Sequence, residues 1–169
     1  MKKLGNLLAD RWVEGGGDGS TLYNAITGEA IATASTQGLD IAKMYDFARE
    51  TGGHALRKMT FQERGRMIKA LALHLHSKKD SFYKVSSATG ATKIDSWIDI
   101  EGGIGNLFAN ASLRRKLPDT SFAVDGDFIL LSKEGTFGGH HILVPKEGVA
   151  IHINAYNFPI WGMLEKIAV

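Results

Sequence analysis

The residues best suited to chemistry lie in the stretch Ile153–Pro159, where Asn157 stands two residues before a proline. An asparagine between a strand and a helix can aim its side-chain NH₂ group at a negative charge developing on a carbonyl oxygen. Removing such a donor from other enzymes costs about 10²–10³-fold in rate. The same position also suits a helix cap, because Pro159 is well placed for the first helical residue. Spacing alone leaves both roles of Asn157 open.

The segments around this turn predict how it is positioned. The mostly apolar run Gly148–Asn154 is typical of a buried parallel strand, and ligands of open α/β sheets bind where such strands end. An amphipathic helix pattern follows Pro159 and reaches Val169 without a glycine cap or a polar tail. We therefore expect residues 1–169 to be the N-terminal piece of a longer α/β protein, ending within a helix.

Strand patterns flank the helical part of the chain. Arg11–Val13 is expected to be a short strand, and a strand–turn–strand unit is expected around the turn Thr27–Glu29. After residue 118 the helical period is lost. Phe128–Leu131 and His140–Val144 are then predicted as two further strands.

Three helices are predicted between these strands. The first follows Asp40 and is expected to stop at Gly52-Gly53. The second opens at the capping-box sequence Thr60-Phe61-Gln62-Glu63 and should end near Gly90. The third is expected to be capped by Asp95. Its predicted inward residues are Trp97, Ile100, Ile104, Leu107 and Phe108.

Two other patterns invite a binding role and have a simpler explanation. Gly102–Gly105 hints at a phosphate loop, but it follows helical spacing rather than a strand, so close helix packing is the favoured interpretation. The pairs His74/His76 and His140/His141 have spacings that place the two rings of each pair on different faces. No acidic ligand lies at a suitable interval, so we predict no metal site.

Composition narrows the function classes. The chain has 169 residues, 44% hydrophobic and 22% charged, as in an ordinary globular protein. Its net charge of +2 makes no case for a nucleic-acid or membrane partner. With no cysteine, these residues hold no disulfide, thiolate metal site or cysteine nucleophile. No apolar stretch is long enough for a signal peptide or a membrane span, so we expect a cytoplasmic protein.

Several segments, taken in order, resemble the N-terminal third of an aldehyde dehydrogenase: Tyr23–Glu29, Thr89–Thr92, Gly148–Ala150 and Asn157–Pro159. A narrower resemblance is to the bifunctional branch of that family that acts in phenylacetate degradation. It is carried by Met59–Arg64, Asp95–Gly105 and His152–Lys166. The semialdehyde dehydrogenases of the benzoyl-CoA epoxidation pathway share parts of these segments and are the nearest alternative within the family.

The resemblance implies a fold and an activity. The fold would be the helices, the start of a parallel Rossmann-type sheet, and part of an oligomerisation sheet that includes the Phe128 and Ile142 strands of a homo-oligomer. The activity would be oxidation of an aldehyde with NAD or NADP, and in the narrower branch the substrate would be a CoA-linked semialdehyde. A hydratase domain would follow at the far C-terminus.

The resemblance also implies site residues. Asn157 falls on the family asparagine that binds the oxyanion of a cysteine thiohemiacetal. The residues that fall beside the cofactor are Ile153, Asn154, Ala155 and Tyr156. Ala155-Tyr156 replaces the usual Pro-Trp of the superfamily, in keeping with the narrower branch. The nucleophilic cysteine, the general-base glutamate and the lysine at the cofactor ribose would lie beyond Val169.

A second function class stays open beside this one. A dehydrogenase-like module without catalysis, which binds or scaffolds a partner, would also contain no cysteine. The helix pattern that reaches Val169 uncapped favours the enzyme, because an independent module should cap its last element.

Overall fold

The computed structural model describes all residues from Met1 to Val169. The strands are β1 (Lys2–Leu4), β2 (Asn6–Leu8), β3 (Arg11–Val13), β4 (Ser20–Tyr23), β5 (Ala30–Ala34), β6 (Ala123–Leu130) and β7 (Gly138–Leu143). The helices are α1 (Ile41–Phe47), α2 (His54–Lys58), α3 (Phe61–Ser86), α4 (Lys93–Leu113) and α5 (Pro159–Ile167). None of these helices combines the length and the apolar character needed to cross a membrane.

The N-terminal strands form a small mixed sheet and a separate ribbon. β4 and β5 pair antiparallel and are joined by residues 24–29, whose turn covers 25–27, which confirms the expected strand–turn–strand unit. β1 adds to β5 in parallel, and β2 pairs antiparallel with β3. The sequence predicted β3 but neither β1 nor β2, which are three residues each and too short to show a period.

The predicted stop of the first helix at Gly52-Gly53 is wrong. A π-helical segment, Ala48–Gly53, joins α1 to α2 without a break. The wider turn keeps the backbone helical, and neither glycine adopts a positive φ. The expected start is confirmed, because the Asp40 side chain accepts a hydrogen bond from the Lys43 N–H at 2.9 Å.

The capping box at the start of α3 is confirmed. The Thr60 hydroxyl accepts from the Glu63 N–H at 3.1 Å, and the Glu63 carboxylate accepts from the Thr60 N–H at 2.8 Å. α3 is followed by one 3₁₀ turn, and Gly90 then takes the left-handed conformation with a φ of 85°. The end of this helix was therefore also predicted correctly.

The predicted start of α4 is wrong by one turn. Thr92 is the N-cap and Asp95 is the third residue of the helix, where its carboxylate accepts from the Thr92 N–H. The sequence Thr92-x-x-Asp95 thus forms a second capping box, in which aspartate takes the place of the usual glutamate. Trp97 was expected to point inward, but 59% of it is exposed, because it lies off the face of α4 that carries Ile100 and Ile104.

The core lies where α3, α4 and α5 pack together. Its buried apolar residues are Ala72 from α3, Ile100, Ile104 and Leu107 from α4, and Leu164 with Ala168 at the end of the chain. Phe108 packs against this cluster and is partly buried. α5 is therefore held in place by α3 and α4, and the turn that precedes α5 is fixed by the same packing.

A second pair of strands stands apart from the helices. β6 and β7 form an antiparallel hairpin with a register shift between Asp125 and Ile129. These strands confirm the two predicted after residue 118. The exposed large apolar residues of the hairpin include Phe128, Ile129, Leu130, Ile142 and Leu143.

The buried parallel strand expected over Gly148–Asn154 is not formed. Residues 149–154 belong to no helix or strand, and Ile151 and Ile153 are 79% and 86% exposed. A parallel strand exists only with neighbours that accept its hydrogen bonds, and residues 1–169 place none beside it. The apolar pattern of this run therefore predicted a strand that residues 1–169 do not form.

Substituting Gly103 tests how tightly α4 and α5 fit. A Cβ at Gly103 would lie 3.0 Å from the Trp161 Cα and 3.1 Å from its nitrogen, both backbone atoms that cannot move without shifting α5. We expect Gly103→Ala to lower the free energy of unfolding by about 1–3 kcal/mol. Gly105→Ala is the matched control, because a Cβ there meets open space. We expect it to leave stability unchanged or raise it by up to about 1 kcal/mol. Urea unfolding of both variants measures this; equal stabilities would contradict the close fit.

Candidate active site

The turn that leads into α5 is fixed by an unusual backbone conformation. Phe158 is the N-cap residue, and its φ of 52° places it in the left-handed region that bulky residues rarely occupy. Its side chain makes no capping hydrogen bond, and Pro159 begins the helix as predicted. The capping role considered for Asn157 is therefore wrong: this residue lies one position too early, because Phe158 occupies the cap.

A side chain from another helix caps α5 instead. Asp99, on α4, is only 4% exposed, and its carboxylate Oδ1 accepts the Trp161 N–H at 2.7 Å. Trp161 itself packs against Gly102 and Gly103, where no side chain intervenes. One buried carboxylate and two glycines of α4 thus hold the first turn of α5.

Burial sets the protonation behaviour of Asp99. Removal from water raises the pKa of this carboxyl above its ordinary value, while the backbone N–H groups of Trp161 and Ile160 partly oppose that rise. One turn earlier, Asp95 behaves in the opposite way. The Thr92 hydroxyl and backbone N–H hold the pKa of Asp95 below its usual range. The two carboxyls on this face of α4 therefore have pKa values shifted in opposite directions.

Asn157 lies exposed between two clefts and takes part in no hydrogen bond of its side chain in this structure. The first cleft has a volume of about 350 Å³ and is lined by Asp95 and Asp99 together with the Thr89–Ala91 turn. The second has a volume of about 490 Å³ and is lined by Ile98, Trp161 and Lys166. Asn157 and Phe158 contribute to both. The amide is thus free to act on a molecule in either cleft.

The four predicted cofactor residues form an exposed strip before this turn. Ile153, Asn154, Ala155 and Tyr156 are all exposed, Tyr156 to 98%. No backbone–backbone hydrogen bond outside the helices and strands involves residues 149–157. Asn154 Oδ1 accepts a hydrogen bond from Lys166 Nζ at 3.2 Å, which ties the strip to α5. The structure therefore places these residues and Asn157 side by side, with free backbone polar groups.

Comparison with known proteins identifies the fold and the family. The solved structure of an NAD-dependent benzaldehyde dehydrogenase from Corynebacterium glutamicum superposes with a TM-score of 0.60 over 73% of this chain and 27% of that one, at 19% sequence identity. That likeness supports the α/β dehydrogenase fold. The family model described as "Aldehyde dehydrogenase family" matches residues 12–169. The chain belongs to the aldehyde dehydrogenase family.

A protein with a more similar sequence is named for a CoA semialdehyde. A protein named 3,4-dehydroadipyl-CoA semialdehyde dehydrogenase, from Aromatoleum evansii, is 38% identical over 167 residues. The match covers 98% of this chain and 32% of that relative, so the chain spans about a third of the relative's length. The predicted family and α/β fold are thereby confirmed, and the relative is named for a CoA semialdehyde.

Two patterns singled out in the sequence have structural explanations in this aldehyde dehydrogenase chain. Gly102 and Gly103 allow Trp161 to approach α4, which confirms helix packing over a phosphate loop. Among the histidines, His76 Nδ1 lies 3.9 Å from a Glu101 carboxylate oxygen, an ion-pair distance. No three histidine, aspartate or glutamate side chains come together as metal ligands would.

Sequence reasoning missed two charged residues that border the clefts beside Asn157. Asp99 is the one acidic residue on the buried face of α4, and a carboxylate on that face was the available signal. Lys166 carried no such signal. Its Nζ donates to the Gly162 carbonyl at 2.7 Å as well as to Asn154. Only the packing of α5 shows that this cation borders the second cleft.

Proposed function

We propose that this chain is part of an NAD(P)-dependent enzyme that oxidises an aldehyde to a carboxylic acid, with Asn157 as the oxyanion donor. The proposal rests on the position of the Asn157 side chain and on its lack of a structural role. Its amide caps no helix, is exposed, and lies between two clefts on a turn held by α4. A donor placed in advance toward a developing charge is the arrangement that stabilises an oxyanion.

The chemistry needs a nucleophile that residues 1–169 do not contain. A cysteine thiolate adds to the aldehyde carbon, and the carbonyl oxygen takes up the negative charge as a thiohemiacetal forms. The Asn157 NH₂ group then donates to that oxygen. A nicotinamide cofactor, when bound, would supply the acceptor for the hydride, whose loss converts the thiohemiacetal into a thioester. Water then cleaves the C–S bond of that thioester, which releases the carboxylic acid and returns the thiol. Since the chain has no cysteine, the thiolate in this proposal comes from elsewhere in the complete protein.

The exposed strip before Asn157 fits a dinucleotide. Its members Ile153, Asn154, Ala155 and Tyr156 leave their backbone N–H and C=O groups without backbone partners. Residues 149–157 contain no carboxylate that would repel a pyrophosphate. We propose that these four residues lie against NAD or NADP. The choice between NAD and NADP depends on which residue contacts the 2′ position of the ribose. In this proposal that residue is not one of these four.

The second cleft suits the aldehyde. Ile98, Phe158 and Trp161 supply apolar walls, and Asn157 lies at its edge. The second cleft carries one charge of each sign, on Lys166 and Glu165, whereas the charged residues of the first cleft are the two carboxyls Asp95 and Asp99. An anionic substrate is therefore less disfavoured in the second cleft, because the carboxyls of the first cleft repel it without a neighbouring cation.

We propose a CoA-linked semialdehyde as the substrate. The relative from Aromatoleum evansii is named for such a compound, and the segments Met59–Arg64 and Asp95–Gly105 resemble the bifunctional branch that acts in phenylacetate degradation. Within that branch the semialdehyde comes from opening of an oxepin ring. The alternative substrate within the family is 3,4-dehydroadipyl-CoA semialdehyde, the compound for which the relative is named.

The exposed hairpin supports a homo-oligomer. β6 and β7 present several large apolar side chains to solvent, among them Phe128 and Ile142. Patches of this kind mark interaction surfaces in soluble proteins. We propose that the hairpin joins a sheet with a second copy of the chain.

The first experiment is the intact mass of the protein isolated from its native source. A mass several-fold above the 18.4 kDa of residues 1–169 supports the enzyme. A mass of 18.4 kDa overturns it and favours a non-catalytic binding module, for which the absence of cysteine is the supporting observation.

The second experiment measures cofactor reduction by the complete protein. The two CoA-linked semialdehydes are compared with their free semialdehyde acids, each with NAD and with NADP. Higher kcat/KM for a CoA-linked compound supports the proposed substrate class, and the better of the two selects the branch. Reduction with the free acids alone would leave aldehyde oxidation standing and contradict the CoA-linked substrate.

A further inference from the structure

We propose that Asp99 is the positioning residue of this site: its buried carboxylate sets the place of Asn157 by capping α5. This inference rests on the proposed role of Asn157 as an oxyanion donor. Asp99 lies on α4 and accepts a hydrogen bond from the N–H of Trp161, 62 residues later in the chain. Its contact is thus with the backbone of α5, and it acts on the turn through that helix.

α5 lacks a cap of its own. The first turn of any α-helix leaves N–H groups without partners inside the helix. Pro159 has no N–H, and the Phe158 side chain makes no capping hydrogen bond. The Asp99 carboxylate supplies the missing acceptor, with its Oδ1 2.7 Å from the Trp161 nitrogen. A negative charge at this place also interacts favourably with the positive N-terminal end of the α5 dipole.

The turn before α5 cannot move independently of that helix. Phe158 has a φ of 52°, so the direction of the chain between Asn157 and the helix is set by a backbone state with little freedom. Asn157 is one residue from that state and two from the start of the helix. A shift of the first turn of α5 therefore displaces the Asn157 amide.

The contact between Asp99 and α5 is buried, whereas the Asn157 side chain that it positions is exposed. Asp99 is 4% exposed, whereas Asn157 is exposed and lines the same 350 Å³ cleft. Gly103 brings α4 to within contact distance of the Trp161 backbone at the same place. The rigid helix pair thus holds a functional side chain that has no hydrogen bond of its own. Supporting residues of this kind keep a catalytic group within the small tolerance that chemistry allows.

The test uses the complete protein with Asp99→Ala and Asp99→Asn. A displacement of about 1 Å can cost about 100-fold in rate, so we expect Asp99→Ala to lower kcat by about that factor with little change in KM. Asp99→Asn keeps an oxygen that accepts the Trp161 N–H, and we expect it to stay within about 10-fold of wild type. Glu101→Gln is the matched control, because Glu101 lies on α4 like Asp99 but forms its ion pair with Lys79 of α3 and not with α5.

Combining substitutions separates positioning from a general loss of stability. If Asp99 acts through Asn157, Asp99→Ala lowers kcat no further once Asn157 is alanine. Hydrogen exchange of the peptide that spans Asn157 to Trp161 should also accelerate in Asp99→Ala and not in Glu101→Gln. Additive losses in the double variant, or kcat of Asp99→Ala within about threefold of wild type, would overturn the proposal. A wild-type protein that oxidises no aldehyde would instead overturn the proposed function, and this role with it.

Discussion

Replacing Asn157 with alanine is expected to lower kcat for aldehyde oxidation by about 10²–10³-fold in the complete protein. The amide is the polar side chain at the turn between the two clefts that has no structural partner, so its loss removes the proposed donor to the oxyanion. The negative charge forms only as the reaction proceeds, so KM for the aldehyde should change little. Steady-state rates of NAD(P)H formation measure both constants.

The structure makes this variant a clean test. Asn157 is exposed and its side chain makes no hydrogen bond in the folded protein. We therefore expect the free energy of unfolding to change by less than about 0.5 kcal/mol. A loss of activity at unchanged stability cannot be attributed to misfolding. Activity and stability can be separated here because the turn is stabilised by Asp99 and not by Asn157.

Two further variants give the comparison its controls. Asn157→Asp keeps the shape of the side chain but replaces the NH₂ donor with a carboxylate oxygen, and it should be at least as inactive as Asn157→Ala. Asn110→Ala removes an amide that donates to the Asn106 carbonyl on α4, far along the chain from the turn, and should retain full activity. Activity of Asn157→Asp equal to wild type would contradict the donor role.

The elements predicted correctly are those fixed by nearby residues. The capping box of α3 needs only Thr60 and Glu63, three positions apart, so its chemistry is visible in the sequence. The left-handed Gly90 and the turn between β4 and β5 are equally local. The error at α4 is instructive for the same reason. Both Thr92 and Asp95 are good N-cap residues, and only their mutual hydrogen bonds show which one caps.

The features that sequence could not predict depend on distant partners. The run 148–154 has the apolar composition of a buried strand, but a strand needs hydrogen-bonded neighbours, and residues 1–169 place none beside this run. The cap of α5 comes from Asp99, and no local pattern joins residues 62 positions apart. The positive φ of Phe158 is also invisible, because a phenylalanine in this state is held there by its surroundings. The role of Asn157 as an oxyanion donor therefore stays a prediction, and the sequence did not show that Phe158 and Asp99 leave its side chain without a capping role.

Residues 1–169 purified by themselves are expected to oxidise no aldehyde at a measurable rate. They hold the proposed oxyanion donor Asn157 and the proposed cofactor strip, but no cysteine. Without a thiolate no thiohemiacetal forms, so the donor has no charge to stabilise. Assays of NAD(P)H formation with the 169-residue chain and with the complete protein, at equal molar concentrations, measure the difference.

Inactivity is informative only if the short chain is folded. Circular dichroism should show the helical content of α1–α5, whose core residues Ile100, Ile104 and Leu164 are all supplied by the chain itself. Exposed apolar residues such as Ile151 and Ile153 should make the folded chain bind a hydrophobic dye or self-associate, because nothing in residues 1–169 covers them. A folded chain that turns over aldehyde would contradict the cysteine mechanism and require a nucleophile among these residues. A folded and inactive chain agrees with the proposed mechanism. In that mechanism the donor Asn157 and the cofactor strip belong to residues 1–169, and a cysteine outside them supplies the nucleophile.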